Sequence, residues 1–312
     1  MRILGIGNSF TQDLMHDVPV LLEGDTALVE LAFLQKSSGT IEDHLSNLQS
    51  NQREYLYYHY NNHSQDWDTL TTCINDALLD RSWDYIILQQ ASFHAGVFST
   101  VKNSLPELSD YLLEVQPHAK LVWQLTWAYA QNARFNEFSI YDYSQSQMLY
   151  QIVDVAAQIL HDPLRYHINS IIPSGIVIQR LRQSRLEDAN TDLCLDGRHI
   201  DQNIGRYALA CTFYQMLLSE ALHRSIIEVS AHKEAKDQYA ESDYSMVRQL
   251  VFDICTHLDR IWEDHKVDNV YKADYYNLMG RRIYHLDRGQ YLLEHDYYES
   301  GKKHGHLILL TE

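Results

Sequence analysis

Five short apolar runs, separated by helical patterns, dominate the first 175 residues of the chain. Each run is a nearly continuous stretch of aliphatic residues bounded by polar or turn residues, which is typical of a buried strand. The runs occupy residues 2–7, 27–35, 84–90, 120–127 and 169–175. Strands that alternate with helices predict βαβ units. We therefore expect an α/β fold, a three-layer sandwich with a five-stranded, mostly parallel sheet between two layers of helices.

The helical periodicity is clearest in residues 104–115 and 146–160, where apolar residues recur every three or four positions. Asp201 can cap a helix that runs to about Leu222. A further helix over residues 243–262 carries an apolar face that should pack against the sheet. These segments supply the outer layers of the predicted sandwich.

The pattern changes near residue 268, where polar and apolar residues begin to alternate. The turn signals there are Met279-Gly280, Arg288-Gly289 and Ser300-Gly301. Such alternation predicts three or four short antiparallel strands. We expect one domain over residues 1–265 and a C-terminal β extension over 266–312. The stretches "YNLMGRRI" and "GQYLL" resemble the β segment that ends many secreted Bacteroidota proteins, and a β extension that pads one edge of the main domain is the alternative.

The formal net charge of −17 is unfavourable for binding nucleic acid or an anionic membrane surface, so we expect neither partner. The four cysteines are far apart, which excludes zinc ribbons and thioredoxin motifs and forces no disulfide.

Met1-Arg2 runs straight into the first predicted strand. The chain as written is therefore expected to be cytoplasmic, or periplasmic or secreted if Met1 replaces a removed leader. Its oligomeric state stays open.

The stretch "GIGNSF" places Ser9 directly after the first strand, at the edge where α/β sheets carry their sites. It does not match a dinucleotide-binding loop, because Phe10 replaces the third glycine, and it has no Gly-Lys-Ser/Thr of a phosphate-binding loop. It also misses the Gly-x-Ser-x-Gly elbow by one position, at Thr11. Ser9 is thus either a nucleophile that enters a helix or a plain helix cap.

The stretch "DGRH" places Asp196 three residues before His199. Side chains at this spacing meet on a turn, and a carboxylate can then orient an imidazole as a general base. A surface turn with a helix cap is the alternative reading.

Together, "GNSF" near the start and "DGRH" near the end of the domain resemble the blocks of the SGNH (GDSL-like) hydrolases. The further stretches "LQQAS", "VWQLTWAY" and "IIPSG" resemble a bacterial branch of unassigned function, over roughly residues 1–260. The resemblance implies the SGNH/flavodoxin-like fold. It also implies Ser9 as nucleophile, His199 as general base and acid, and Asp196 as the residue that orients the histidine.

The same resemblance implies an oxyanion hole formed by the N–H groups of Ser9 and Gly39 and by a side-chain amide. The family has an asparagine in its third block, but this chain has "LQQASF" there, so the donor is Gln89 or Gln90. Neighbouring strand residues face opposite ways, so only one glutamine should point inward.

Trp127 and Tyr129 follow the fourth strand, where they either stack on a sugar ring or plug the sheet edge. Asp13 reads as an ordinary acid in the first turns of a helix. The His- and Asp-rich segments 59–68 and 161–167 read as solvated loops, so we expect no metal site and no cofactor.

The expected activity is a serine esterase that hydrolyses a small acyl ester, with O-acetyl groups on a carbohydrate favoured as substrate. The alternatives are a carbohydrate-binding or scaffold protein on the same fold, and an acyltransferase.

Overall fold

The fold was obtained as a computed structural model. It describes residues 1–22, 28–186, 192–232 and 239–258, together with four strands between residues 273 and 309.

The main sheet has seven strands in the order β4-β3-β2-β1-β5-β6-β7. The strands are β1 (Arg2–Gly7), β2 (Glu30–Gln35), β3 (Tyr55–Asn61), β4 (Asp66–Thr72), β5 (Tyr85–Leu88), β6 (Lys120–Gln124) and β7 (Ile168–Ile172). Strands β2, β1, β5, β6 and β7 pair in parallel, whereas β3 pairs antiparallel with both β2 and β4. The five parallel strands are those predicted from the apolar runs, although most are shorter than the runs.

The predicted five-stranded sheet is therefore too small, because a hairpin extends it at one edge. Strand β3 begins with the period-two pattern of a half-buried strand: Tyr55 and Tyr57 are buried, and Leu56 between them is exposed. The segment 59–68, predicted to be a solvated loop, spans the end of β3, the turn and the start of β4. Its polar composition is explained by the position of β4, which is a largely exposed edge strand.

Ten α-helices are present among the described residues. They are α1 (Ser9–Met15), α2 (Val18–Leu21), α3 (Ile41–Ser50), α4 (Ile74–Asp80), α5 (Ser104–Val115), α6 (Gln145–His161), α7 (Pro163–Tyr166), α8 (Ser174–Arg182), α9 (Ile204–Phe213) and α10 (Glu241–His257). Helices α1, α2, α8, α9 and α10 pack together, and α3, α4, α5, α6 and α7 form a second set. With right-handed crossovers the two sets cover opposite faces of the sheet.

Local sequence explains several helix boundaries. Thr40 caps α3 through a hydrogen bond from the Asp43 N–H, and the Asp43 carboxylate accepts the Thr40 N–H in return. Ser144 caps α6 by accepting the Gln147 N–H. Helix α9 continues as a π-helical segment, Tyr214–Leu218, so the helix predicted from Asp201 to Leu222 is regular over only part of its length.

The strand order creates a crevice beside β1. Strand β2, which follows β1 in the chain, lies on one side of β1, whereas β5 lies on its other side. In sheets of this kind ligands bind where the strand order reverses, at the carboxyl ends of the strands. Ser9 follows β1, Gly39 follows β2 and Gln89 follows β5. The fold therefore brings three of the predicted site residues to one edge of the sheet.

The C-terminal strands form a separate four-stranded antiparallel sheet in the order β11-β10-β8-β9. They are β8 (Ala273–Tyr276), β9 (Arg282–Ile283), β10 (Tyr291–Tyr297) and β11 (Lys303–Leu309). The predicted turns near residues 280, 289 and 301, the predicted end of the last helix at 262 and the expected boundary at 265/266 lie outside the described residues. Within the described part of the chain, no helix has the length and apolar character needed to cross a membrane.

Candidate active site

A chain of hydrogen bonds connects Ser9, His199 and Asp196. The Ser9 Oγ lies 2.9 Å from His199 Nε2, and His199 Nδ1 lies 2.6 Å from Asp196 Oδ2. A carboxylate can only accept, so in the neutral imidazole Nδ1 carries the proton and Nε2 accepts from the serine hydroxyl. Residues 190 positions apart thus meet in the arrangement predicted from the sequence.

Asn8 fixes the turn from which Ser9 projects. Its Oδ1 accepts the Phe10 N–H at 3.0 Å and caps α1, while its Nδ2 donates to the Gly39 carbonyl at 3.3 Å. Gly7 allows the close approach, because a Cβ there would lie 2.2 Å from Thr11 Oγ1. The buried amide of Asn8 therefore connects the Ser9 turn to the loop after β2, a role that was not predicted from the sequence.

The Asp196 carboxylate also shapes the loop that carries His199. Its Oδ1 accepts the N–H groups of Arg198 at 3.0 Å and His199 at 2.9 Å, in addition to the ring contact made by Oδ2. Gly197 adopts φ +91°, which favours glycine in this tight turn. The indole of Trp127 donates to the Arg198 carbonyl at 2.8 Å. The loop is thus held by hydrogen bonds to the Asp196 carboxylate and by the hydrogen bond from the Trp127 indole.

The protonation state of Asp196 suits its contact with the His199 ring. Partial burial acts to raise its pKa, but the hydrogen bonds from the backbone and ring of His199 and from the Arg198 N–H outweigh it. The pKa of Asp196 is consequently below its usual value, so the group is an anion near neutral pH. An anion at this position can stabilise a protonated imidazole at His199.

The two glutamines after β5 have different surroundings. Gln90 is committed to the fold: its Oε1 accepts the Ile41 and Ala91 N–H groups, and its Nε2 donates to Thr100 Oγ1 at 3.0 Å. Gln89 is fully buried, and neither its Nε2 nor its Oε1 has a partner in the described part of the structure. Its Nε2 lies beside Gly7, 2.9 Å from where a Cβ would be. Gln89 therefore holds the uncommitted amide.

The Gly39 N–H, predicted as an oxyanion donor, donates to the Lys36 carbonyl at 3.0 Å in this structure. Behind Gly39 lies His44, which is fully buried and whose Nδ1 lies 2.7 Å from the Tyr55 hydroxyl. Burial lowers the pKa of His44 to about 4, so the ring is neutral at ordinary pH. Gly39 lies at the predicted edge, but its N–H is engaged in a local turn.

Trp127 and Tyr129 do not offer faces to a ligand. Their predicted role as substrate-binding residues is therefore corrected, and the alternative that they plug the sheet edge is favoured. Both are fully buried. Trp127 stacks on Phe10 at 4.1 Å between ring centroids, and the Tyr129 hydroxyl lies 3.0 Å from Ser92 Oγ. The sequence correctly placed Trp127 and Tyr129 at the carboxyl edge of the sheet. The loop after β6, however, turns both side chains toward the core.

Asp13 is also different from its predicted role as an ordinary acid near the start of a helix. It is buried and forms an ion pair with Arg206, at 2.5 Å between Oδ1 and Nη2. Burial raises the pKa of Asp13 despite the opposing effect of Arg206. The pair connects α1, which begins at Ser9, to α9, which follows the His199 loop.

In the described ranges, no group of three or more His, Cys, Asp or Glu residues could hold a metal ion.

The family model described as "Domain of unknown function (DUF4886)" matches residues 2–245. The chain belongs to the DUF4886 family. Among solved structures, a DUF4886 family protein from Bacteroides uniformis is 30% identical, with a TM-score of 0.73 over 83% of this chain and 96% of that one. No curated protein matches the chain.

Two further solved structures are similar to this DUF4886 chain at lower levels. A candidate SGNH hydrolase from Slackia heliotrinireducens is 21% identical, with a TM-score of 0.47 over 68% of this chain and 96% of that one. A candidate GDSL-like lipase from Parabacteroides merdae is 16% identical, with a TM-score of 0.46 over 68% and 93%. The match to DUF4886 confirms the part of the sequence resemblance that concerns a family of unassigned function.

Proposed function

We propose that this protein is a serine esterase that hydrolyses small acyl esters. One observation carries the proposal, the continuous hydrogen-bonded series from the Ser9 hydroxyl through the His199 ring to the Asp196 carboxylate. A structural serine cap does not require an imidazole positioned by a carboxylate. The three groups lie at the edge of an α/β sheet where ligands bind, and Ser9 and His199 are only half-buried, so a small substrate can reach them.

The chemistry follows from the geometry. His199 Nε2 takes the Ser9 proton as Oγ attacks the ester carbonyl, and Asp196 stabilises the resulting imidazolium. The imidazolium then gives its proton to the leaving alcohol, and an acyl-enzyme on Ser9 remains. Water attacks the acyl group while His199 again accepts a proton, which releases the carboxylic acid and restores the serine.

The developing oxyanion needs hydrogen-bond donors that point at the carbonyl oxygen of the ester. Ser9 is the first residue of α1, so its N–H has no acceptor within the helix. The uncommitted amide of Gln89 is the second donor in this proposal once its fully buried side chain turns toward the site. The Gly39 N–H is the third if it exchanges its turn bond to Lys36 for the oxyanion. Preorganised donors of this kind each lower the barrier by about 3 kcal/mol.

A paired substitution tests which glutamine serves the site. Gln89→Met should lower kcat about 10²- to 10³-fold while leaving the urea midpoint unchanged or raised, because a buried amide without partners is removed. Gln90→Met should instead lower the free energy of unfolding by about 2 kcal/mol or more, because it leaves the Ile41 and Ala91 N–H groups without their acceptor. The measurements are steady-state kinetics and urea unfolding. Wild-type turnover in Gln89→Met would remove it from the proposed oxyanion hole.

The choice of an acetylated carbohydrate as substrate rests on the family resemblance alone. The two aromatic residues that favoured a sugar are buried, so they no longer support it. We retain an O-acetyl ester as the first substrate class to test. Release of free acetate from acetylated sugars, compared with transfer of the acetyl group to an added alcohol, distinguishes a hydrolase from an acyltransferase.

Covalent labelling by a fluorophosphonate tests the proposed nucleophile. The wild-type protein should be labelled, and Ser9→Ala should not, since the probe reacts only with an activated hydroxyl. Ser92→Ala is the matched control, because Ser92 is a buried serine at the same sheet edge whose hydroxyl contacts Tyr129 rather than a histidine. Unlabelled wild-type protein at every pH would favour a binding or scaffold protein on this fold, and labelling that persists in Ser9→Ala would exclude Ser9 as the nucleophile.

A further inference from the structure

Among the residues that the structure describes, Arg198 has no acidic partner, although acidic residues outnumber basic ones by 42 to 25 in this chain. No carboxylate of the described residues lies within 4.0 Å of its guanidinium, whereas several other arginines form such ion pairs. Its Nε is buried and makes no hydrogen bond to the residues that the structure describes. Burial costs a charged group part of its hydration, so a half-buried cation without a counter-ion is suited to bind an anion.

The side chain of Arg198 is held in place by an aromatic ring. Its Cζ lies 4.7 Å from the centroid of Phe135, and Phe135 in turn packs edge to face against Tyr129. A guanidinium that stacks on a ring keeps its N–H groups, which lie in its own plane, free to donate. The arrangement therefore presents a fixed set of donors rather than a flexible surface charge.

The backbone of Arg198 places this cation beside the proposed nucleophile. Its N–H donates to Asp196, its carbonyl accepts from Trp127, and the next residue is His199. The Arg198 side chain also acts on the Tyr129 hydroxyl, through its charge and through a side-chain hydrogen bond, and that hydroxyl contacts Ser92 just after β5. Strand β5 is the neighbour of β1, which leads to Ser9. The Arg198 side chain and the Ser9 hydroxyl thus lie at the same edge of the sheet.

We propose that Arg198 binds a carboxylate group of the substrate, so that the preferred esters are anionic. This inference rests on the proposed esterase function and names its substrate class. A carboxylate accepts two parallel hydrogen bonds from a guanidinium, and such charge-assisted pairs are stronger than neutral hydrogen bonds. The carboxylate can belong either to the acyl part or to the alcohol part of the ester.

Matched ester pairs distinguish these two sources. For the alcohol part, 4-acetoxybenzoate is compared with 4-acetoxybenzamide, and for the acyl part, monophenyl succinate is compared with phenyl succinamate. Within each pair the esters differ only in a carboxylate or a carboxamide. We expect the wild-type protein to favour the anionic member of at least one pair by about 10- to 100-fold in kcat/KM. No preference in either pair would overturn the proposal.

Substitution of Arg198 then tests the origin of the preference. Arg198→Gln should bring the ratio of kcat/KM between the anionic and the neutral ester to about one. Arg198→Lys should keep part of the preference for the anionic ester, because the charge remains while the two parallel N–H donors of the guanidinium are lost. Arg134→Gln is the control: Arg134 is exposed on a nearby loop and should keep the wild-type ratio. An equal loss for both esters in Arg198→Gln, with the ratio unchanged, would show a merely structural role.

A binding measurement separates this proposal from the proposed activity. Calorimetric titration of Ser9→Ala with benzoate and with benzamide needs no turnover, and benzoate should bind about 10-fold more tightly in an Arg198-dependent way. Turnover of the neutral esters that disappears in Ser9→Ala reports on the esterase function itself. If no ester is turned over but benzoate still binds through Arg198, the esterase function fails and the anion site stands. If benzoate binds no better than benzamide, the anion site fails.

Discussion

Ser9→Ala and His199→Ala should each lower kcat for a small acetyl ester by at least about 10⁴-fold, and the double variant should be no slower than either. In the proposed mechanism the nucleophile and the base act as a unit, so either substitution alone should remove the pathway through the acyl-enzyme. The distance of 2.9 Å between Ser9 Oγ and His199 Nε2 makes this coupling direct. The residual rate comes from binding and from oxyanion donors that both variants retain.

Initial rates of the three variants with 4-nitrophenyl acetate, each protein checked for an unchanged unfolding transition, give the required comparison. His118→Ala is the control for a histidine substitution, because His118 is exposed just before β6, at the opposite edge of the sheet from Ser9. Effects of Ser9→Ala and His199→Ala that multiply in the double variant would show that the two residues act independently, which contradicts the proposed mechanism.

The sequence predicted those parts of the fold in which local pattern and tertiary burial agree. Helix α5 occupies the predicted residues 104–115, because its apolar positions follow the helical period and face the core. Strand β1 also has its predicted bounds, 2–7. The hairpin of β3 and β4 was missed for two reasons. Strand β4 is an edge strand that faces water and has the composition of a loop, and the assignment of β3 depends on its pairing with β2.

The same reasoning applies to the candidate site. Asp196 and His199 are three residues apart, so a local turn suffices to pair them, and the motif predicted their contact. The direction of the Trp127 and Tyr129 side chains depends instead on Phe10, Ser92 and the loop after β6, which no local pattern encodes. The pairing of Asp13 with Arg206 joins residues 193 positions apart, and nothing in either neighbourhood indicates the other.

Breaking that ion pair should have the largest effect on stability. We expect Arg206→Met to lower the free energy of unfolding by about 3–5 kcal/mol, because it leaves the Asp13 carboxylate buried without its counter-ion. The side chains are only 7% and 11% exposed for Asp13 and Arg206, so water cannot replace the lost partner. Urea unfolding by linear extrapolation gives the difference. Arg53→Met removes an exposed ion pair with Asp76 and should stay close to wild type.

The double variant Asp13→Leu/Arg206→Met should recover most or all of this loss. In the wild type the pair is incompletely satisfied, because Asp13 Oδ2 and Arg206 Nε have no partners among the described residues. Well-packed apolar residues of similar volume often equal or exceed such a pair in stability. A double variant as unstable as Arg206→Met would show that packing, rather than the unpaired charge, causes the loss.

The pH dependence of Arg206→Met distinguishes the same two causes independently. Burial already raises the pKa of Asp13 above its usual value against the opposing effect of Arg206, and without that cation the pKa rises further. The folded variant then binds a proton that the unfolded chain releases near pH 4, so its free energy of unfolding increases as the pH falls toward the raised pKa. The deficit relative to wild type should consequently be smaller at pH 5 than at pH 8. A deficit that is equal at both pH values would contradict an origin in the Asp13 charge.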